Sequence, residues 1–216
     1  MNESPRFQRA RKPDEIEARR VTLLAAAAEL FDADGPQGAG LNAIAAKAGF
    51  TKSNVYRYFE SREQVLLELF LAEMEAMVPA FCAKLAGAKA GDVTELAKLV
   101  AGEFTSRPRL GQLTAILTGV IEANVSEDTI MRTKRTLGAL SARLAEGLHR
   151  KLPAAGFADC LWAVSMVGTL VAGMWPGAHP SPAVARVLAR EEFAPFRPNI
   201  ERDLERAARA LLASIA

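Results

Sequence analysis

The segment that most constrains the fold is LNAIAAKAGFTKSNVYRYF, residues 41–59. It predicts two very short helices, about Leu41–Ala48 and Lys52–Tyr58, with only three residues between them. Two helices that meet at a sharp angle need a small residue at their contact, a turn residue that tolerates positive φ, and apolar residues that seal the joint. Ala45 and Gly49 meet the first two needs. The seal consists of apolar side chains on both helices and the turn: Ile44, Ala48, Phe50, Val55 and Phe59.

This arrangement predicts a helix-turn-helix, the motif in which a second helix enters the DNA major groove. The local charge agrees, because residues 39–62 hold four basic side chains and one acidic side chain, Glu60. The chain as a whole has a net charge of only +2, which is too small to indicate nucleic acid. The argument for DNA therefore depends on where the charges lie.

The remaining sequence predicts helices separated by Gly and Pro, without the alternating β-branched runs that indicate a sheet. A first helix from about Pro13 to Asp34 carries an apolar stripe at helical spacing, and Gly35 is expected to end it. Further helices are predicted at about 61–85, 92–106, 108–123, 127–152, 157–175, 182–190 and 198–215.

The sequence thus predicts an all-α fold with two domains. An N-terminal three-helix helix-turn-helix domain is expected at 13–60, preceded by a basic N-terminal arm at 1–12. A larger helical domain is expected at 61–216, joined directly by the helix that begins near Ser61.

A set of residues between 13 and 75 occurs in a characteristic order and spacing: Leu23-Leu24, Ala26-Ala27, Leu30-Phe31, Gly35, Ile44-Ala45, Ala48-Gly49, Tyr56, Phe59, Arg62 and Leu66-Leu67. Jointly these residues resemble the DNA-binding domain of the tetracycline-repressor (TetR) family of bacterial transcriptional regulators. Two positions depart from the family pattern. Gly40 stands where the family usually caps its second helix with Thr or Ser, and Arg62 stands where Lys is common.

The resemblance implies a DNA-binding role for a defined set of residues. Tyr56 and Tyr58 would press against the DNA backbone, with Tyr56 also packing on the core of the domain. Arg62 would bind phosphate, Thr51 would cap the recognition helix, and the basic arm would lie along the backbone or minor groove. The side chains that would face the groove are Asn42, Lys52, Ser53, Asn54 and Arg57.

The resemblance also implies that the second domain senses a ligand and forms a dimer. Met and aromatic side chains of inner helices suit an adaptable cavity, and they suit an ordinary core equally well. Glu122 and Asn124 interrupt an otherwise apolar helix. They are either polar anchors for a ligand or part of a local capping network. The candidate ligand-binding residues are Met74, Met77, Phe81, Phe104, Ile121, Glu122, Asn124 and Trp162.

The uncharged helix 157–175 and the final helix 198–215 are candidates for a four-helix dimer interface, and packing within one chain is the alternative. The uncharged stretch from Cys160 has about 16 residues before Pro176, short of the ~20 that a membrane span needs. We therefore expect a helix buried on most sides, in a core or between subunits, with no membrane partner. The candidate interface residues are Gly168, Ala172, Leu204 and Leu211.

Catalysis has little support in the sequence. The two histidines lack partner motifs, and no metal-ligand spacing or phosphate-binding loop occurs, so neither a metal nor a cofactor is expected. Two isolated cysteines without an export signal indicate the cytoplasm. The expected function is a homodimeric regulator, foremost a repressor, that binds a palindromic DNA operator and releases it when a small apolar or amphipathic effector binds. The alternatives are a DNA-binding regulator controlled by a partner without a small-molecule ligand, and an all-α enzyme.

Overall fold

The structure is a computed structural model that describes residues 13–216, so the predicted basic arm at 1–12 lies outside the described residues. Every regular element in the described part is helical, which confirms the all-α prediction. The chain forms two compact units, one that extends to Val65 and one that comprises Leu66–Ala216. The domain boundary that the sequence predicts at residue 60 is a separate proposal from this structural division.

The first unit contains α1 (Pro13–Asp34), α2 (Leu41–Ala48) and α3 (Lys52–Val55), with a 3-10 turn at Gly35–Gln37 after α1. Helix α1 packs against α2, and α2 packs against α3. Gly35 has a φ of 67°, a left-handed conformation that glycine adopts without strain, and α1 ends before it as predicted. The core of this unit is formed by fully or nearly fully buried side chains: Leu23, Ala27, Phe31, Ile44, Val55 and Phe59.

Helix α3 is shorter than the predicted 52–58. It ends at Val55, and the N–H groups of Arg57 and Tyr58 bond to the carbonyls of Asn54 and Val55, three residues back. These i→i−3 bonds tighten the last turn, so the chain continues as a turn to the buried Phe59. Residues 52–55 thus form about one helical turn, and residues 56–58 continue it as a turn.

The second unit is built from long helices, of which α4 (Arg62–Gly87) begins just before the boundary and passes through Pro79 without ending. The remaining helices are α5 (Val93–Thr105), α6 (Pro108–Ile116), α7 (Glu127–Lys151), α8 (Phe157–Ala178), α9 (Pro182–Leu188) and α10 (Ile200–Ala213). Helix α5 packs against α6 and α10, and α8 packs against α6, α7 and α10. The N-caps of α5, α7 and α9 are Asp92, Ser126 and Ser181, and each accepts a hydrogen bond from a first-turn N–H.

Helix α6 does not run to residue 123 as predicted. It ends at Ile116 and is followed by a π-helical turn at Leu117–Ile121 and a 3-10 turn at Glu122–Asn124. The amide of Asn124 donates to the Val120 carbonyl at 2.7 Å, which satisfies a backbone group freed by the change of helix type. Nothing in hydrophobic periodicity distinguishes such a turn from a continuing α-helix.

Helix α8 is longer and less buried than predicted. It continues to Ala178 because Pro176 removes only one backbone hydrogen bond, and the His179 N–H still bonds to the Trp175 carbonyl. With 22 residues it is the one helix in the described part that is long and apolar enough to cross a membrane, by length and composition alone. Only 22% of its most apolar stretch is buried within one chain, so burial in the core of its own chain is not what the structure shows. Burial between subunits remains a proposal.

The last helix also differs from its prediction. Pro198 precedes α10, which begins at Ile200 with Asn199 as its cap, since the Asn199 side chain accepts from the Arg202 N–H at 2.9 Å. A 3-10 segment at Glu191–Phe196 separates α9 from α10 and was not predicted. Asparagine offers α10 a side-chain acceptor that the preceding proline lacks.

Helices α6 and α8 approach closely at Gly111. A Cβ atom built on Gly111 would lie 2.3 Å from the ring of Trp175, which is 5% exposed. The ring therefore occupies the space that any other side chain at this position would need.

We predict that Gly111→Ala destabilises the protein by about 1–3 kcal/mol, because the added methyl must displace the Trp175 ring. Gly138→Ala is the matched control, since Gly138 is exposed on α7 and a Cβ there meets no atom within 4 Å. Helix propensity alone should make that control about 0.5–1 kcal/mol more stable. Urea denaturation of the variants measures both changes, and equal stability of G111A and wild type would contradict the proposed close contact.

Candidate functional site

The turn between α2 and α3 fixes the candidate recognition surface. Gly49 has a φ of 71°, and the Phe50 N–H bonds to the Ala45 carbonyl at 2.9 Å, which closes the end of α2. Ile44 and Val55 are fully buried on either side of this turn. The two short helices are thus held at a defined angle by the residues that the sequence predicted for that role.

The outward side of α3 is polar and basic. Lys52 and Arg57 are exposed, and neither has an acidic partner in the described part of the chain. Asn54 is half-buried, and Asn42 at the start of α2 is exposed. Thr51 occupies the cap position of α3, but its hydroxyl lies 3.2 Å from the Ser53 hydroxyl and makes no capping hydrogen bond. The first N–H groups of α3 remain open to an anionic group.

The two tyrosines differ in exposure. Tyr56 is 49% exposed, and the Lys52 ammonium lies 5.7 Å from its ring centre. Tyr58 is half-buried, and its hydroxyl is buried without a hydrogen-bond partner in the described structure. A buried hydroxyl without a partner costs about 1–3 kcal/mol.

Arg62 at the start of α4 is held by neighbours within its own unit. Its guanidinium donates to the Glu63 carboxylate at 2.7 and 3.0 Å and to the Gln37 amide oxygen at 2.8 Å. Lys47 on α2 is likewise paired with Glu29 on α1 at 2.7 Å. Of the four basic residues in segment 39–62, Lys52 and Arg57 are therefore the two that carry uncompensated charge.

The second unit encloses a cavity of about 380 Å³, within the range of 300–1,000 Å³ typical of small-molecule sites. Its lining is mostly apolar, and the walls come from α4 to α8, α10 and the π-helical turn. Thr118, Ser165 and Thr169 line the cavity and are also exposed, which places its mouth between the π-helical turn and α8. The aromatic and flexible apolar part of the lining includes Phe70, Met74, Met77, Phe81, Phe104 and Leu117.

One charged side chain, Glu103 on α5, lines this cavity among the described residues. It is 2% exposed, and its two carboxylate oxygens accept from Lys84 at 2.5 Å and from Arg107 at 2.6 Å. Burial alone would raise the pKa of Glu103, but the hydrogen bonds and charges of Lys84 and Arg107 outweigh burial and hold it below its usual range. Glu103 is therefore an anion at neutral pH.

The predicted ligand-binding residues separate into two groups. Met74, Met77, Phe81 and Phe104 line the cavity. The other four lie outside its lining: Ile121 is fully buried, Glu122 is paired with Lys134 at 2.5 Å, Asn124 bonds to the Val120 carbonyl, and Trp162 is 47% exposed. Glu122 and Asn124 thus take the local role that was the alternative to a ligand anchor.

The predicted dimer residues differ in how far their own chain covers them. Gly168 and Ala172 line the cavity, and Leu204 is fully buried by its own chain. Leu211 is half-buried and keeps part of its surface available. The outward apolar surface of α8 lies instead at its beginning, where Phe157, Leu161 and Trp162 are exposed.

Sequence reasoning missed Glu103, although a signal for it was present. Leu96, Val100, Glu103 and Phe104 follow the spacing of one helical face, and all four line the cavity. A glutamate on the inward face of an amphipathic helix is rare unless it is paired. The cavity hydroxyls of Thr118 and Ser141 were missed too, because no pattern distinguishes them from surface residues.

The first unit thus has the geometry of a helix-turn-helix, and the second unit holds an apolar cavity. Residues 23–69 match the sequence model described as "Bacterial regulatory proteins, tetR family", and residues 68–214 match "Tetracyclin repressor-like, C-terminal domain". The chain belongs to the TetR family of transcriptional regulators, and its first unit is the DNA-binding domain of that family. No curated protein matches the sequence significantly.

Solved structures show the same fold. A TetR-family transcriptional regulator from Streptomyces coelicolor is 19% identical, with 92% of this chain and 99% of that chain covered and a TM-score of 0.59. The fatty acid degradation regulator FadR from Bacillus halodurans is 16% identical, with 96% and 98% covered and a TM-score of 0.57. FadR from Bacillus subtilis, solved with stearoyl-CoA, is 18% identical, with 91% and 98% covered and a TM-score of 0.55. At these identities the likeness establishes the fold alone.

We predict that Glu103 makes folding stability depend on pH. Because its pKa is lowered in the folded protein, its contribution is present above the ordinary glutamate range and is lost as the pH falls through that range and below. The difference in unfolding free energy between wild type and Glu103→Gln should therefore be smaller at about pH 3 than at about pH 7. Urea titrations at both pH values measure this difference, and a constant difference would contradict the prediction.

Proposed function

We propose that the protein is a ligand-responsive repressor that binds a palindromic operator as a homodimer and releases it when a small apolar or amphipathic molecule enters the cavity. The observation that carries this proposal is the apolar cavity of about 380 Å³ in a chain of the TetR family, since a void of this size has no role in simple packing. The protein would act in the cytoplasm, where operator DNA is accessible.

In this proposal α3 enters the major groove. Lys52, Asn54 and Arg57 would reach base edges or phosphates, because amides pair with adenine and basic side chains pair with guanine. Tyr56 supplies an exposed phenol for the backbone, while Tyr58 would have to turn outward first. Thr51, Ser53 and Asn42 complete the polar surface.

Arg62 would contact a DNA phosphate only if the phosphate replaced the Glu63 carboxylate as its partner. Its guanidinium already points three hydrogen bonds at neighbours of the same unit, so the operator phosphate competes with an existing ion pair. The binding free energy gained from this phosphate contact is therefore smaller than an arginine without an ion-pair partner would give.

The effector is proposed to lie among the Met and Phe side chains of α4 and α5. At about 30 Å³ per water-sized group, the cavity has room for about a dozen such groups, which suits a chain or ring system of moderate size. The stearoyl-CoA complex of the Bacillus subtilis regulator supports this reading, because it shows that the fold accepts an acyl compound in a neighbour.

The dimer is proposed to form through the exposed side of α8, together with α10. Phe157, Leu161 and Trp162 form an apolar surface at the start of α8 that its own chain leaves uncovered. A second copy that covers it would remove this surface from water.

Two other functions remain to be distinguished from this one. A regulator controlled by a partner protein would use the same DNA surface but would leave the cavity empty, and an all-α enzyme would convert a compound that it binds. The decisive experiment is a gel-shift assay with DNA from upstream of its own gene, repeated across a library of apolar compounds. Operator binding that no compound releases would contradict the ligand-responsive proposal, and loss of a compound over time would indicate catalysis.

We predict distinct DNA-binding defects for three variants. Arg62→Ala should weaken binding to all sequences and lower the salt dependence by about one phosphate contact. Asn54→Ala and Arg57→Ala should each relax the preference at particular base pairs by about 1–3 kcal/mol. Fluorescence anisotropy with operator and scrambled duplexes at several salt concentrations measures these effects.

The matched control for charge is Lys98→Ala. Lys98 is exposed on α5 in the second unit, so its removal changes the net charge equally without touching the proposed surface. It should leave the salt dependence unchanged. Wild-type binding by R62A, N54A and R57A alike would show that α3 is not the recognition helix.

We predict that Trp162→Glu gives monomers that keep their fold. Trp162 is 47% exposed, so the charge is tolerated in one chain but opposes burial against a second chain. Met131→Glu is the control, because Met131 on α7 is 48% exposed and lies outside the proposed interface. Sedimentation velocity should show dimers for wild type and M131E. Dimers of W162E as stable as those of wild type would place the interface elsewhere.

A further inference from the structure

We propose that Glu103 selects the chemical class of the effector: an apolar molecule that carries a hydrogen-bond donor, as an alcohol or a protonated amine does, in preference to a carboxylate. This inference rests on the proposed function, since it concerns the same cavity. It adds a specificity-determining residue and a ligand class to that proposal.

The first argument is the position of the charge. Glu103 lines the cavity, whereas its two cationic partners, Lys84 and Arg107, are absent from the lining. Lys84 is 49% exposed and Arg107 is 27% exposed, so both have access to water on their outer side. Among the charged residues of this cluster, Glu103 is therefore the one in the cavity lining, and both cations lie outside that lining.

The second argument is the remaining hydrogen-bonding capacity of Glu103. Each carboxylate oxygen accepts one hydrogen bond from a basic side chain, and a carboxylate has about four acceptor positions in all. About two acceptor positions remain, and an ionised carboxylate has no donor to offer. A ligand group that donates a hydrogen bond is complementary to it, and a group that only accepts is not.

The third argument concerns ligand charge. An anionic head group beside Glu103 would place two like charges in a site with mostly apolar walls, where the dielectric screening is weak. A protonated amine would instead form a charge-assisted hydrogen bond with it, and an alcohol would form an ordinary one. The hydroxyls of Ser141 and Thr118, which also line the cavity, serve any of these head groups and do not discriminate between them.

The experiment compares probes with one chain length and different head groups. Decylamine, decan-1-ol, decan-2-one and decanoate are titrated into the full-length protein at neutral pH by isothermal titration calorimetry, below the concentrations at which they aggregate. We expect decylamine to bind at least about tenfold more tightly than decanoate, with decan-1-ol tighter than decan-2-one. Decanoate affinity equal to or greater than that of decylamine would overturn the inference.

Two variants test whether Glu103 causes the preference. Glu103→Gln should reduce the amine-to-carboxylate affinity ratio by about tenfold while decan-2-one binding persists. Glu73→Gln is the matched control: Glu73 on α4 is paired with Arg109 at 2.7 Å in the same unit and does not line the cavity. It should leave the ratio unchanged. A ratio that is the same in E103Q as in wild type would overturn the role of Glu103.

If E103Q does not fold, the wild-type titrations still test the inference, because the inference itself predicts the order of the affinities of the four probes. Failure of all four probes to bind would overturn this inference and would also count against the cavity as an effector site. Binding of decanoate alone would overturn the inference while leaving the proposed ligand-responsive function intact. Operator release is measured separately by gel shift, so a failure of the switch is not confused with a failure of head-group selection.

Discussion

The second unit has to stay folded around an open cavity, and this requirement constrains the rest of its structure. Closed cavities in protein cores cost about 24 cal/mol per Å³, so a void of about 380 Å³ would cost about 9 kcal/mol, which is comparable with the whole stability of a domain. The mouth lined by Thr118, Ser165 and Thr169 admits water and lowers this cost. Even so, the helices that form the cavity walls must be held together by contacts other than apolar packing across the space between them.

Those connections are polar and attach α4 to its neighbours. Lys84 pairs with Glu103 on α5, Glu73 pairs with Arg109 on α6, and the Cys82 thiol donates to the Arg143 carbonyl on α7 at 3.7 Å. Apolar packing is non-directional and would favour collapse of the walls, whereas paired charges fix the distance between two helices. Glu103 therefore joins α4 to α5 through its ion pair with Lys84, and it is also the charged residue of the cavity lining in the described part of the chain.

The parts of the structure that sequence could predict are those determined by local chemistry. The α2–α3 turn follows from Gly49, which tolerates a positive φ, and from Ala45, which permits close contact; the caps Asp92, Ser126 and Ser181 follow from side chains that accept backbone hydrogen bonds. The parts that could not be predicted depend on packing between distant segments. Leu204 has the residue type of an interface, yet it is fully buried within its own chain, where α10 packs against α5 and α8. The π-helical turn after Ile116 is invisible to periodicity for the same reason.

Filling the cavity and switching the DNA-binding state are physically separate events. Any molecule that fits restores the missing contacts of the walls and stabilises the unit by mass action, whatever its effect on DNA. Release of an operator requires more, because a ligand shifts a conformational equilibrium only by its difference in affinity for the two states. Helix α4 is the element through which such a difference would act, since it begins at Arg62, shortly after α3 in the sequence, and its residues Phe70, Met74, Met77 and Phe81 line the cavity. A compound that raises thermal stability without moving these side chains would be a ligand and not an inducer, so head-group recognition by Glu103 and displacement of α4 are two requirements that an effector must meet together.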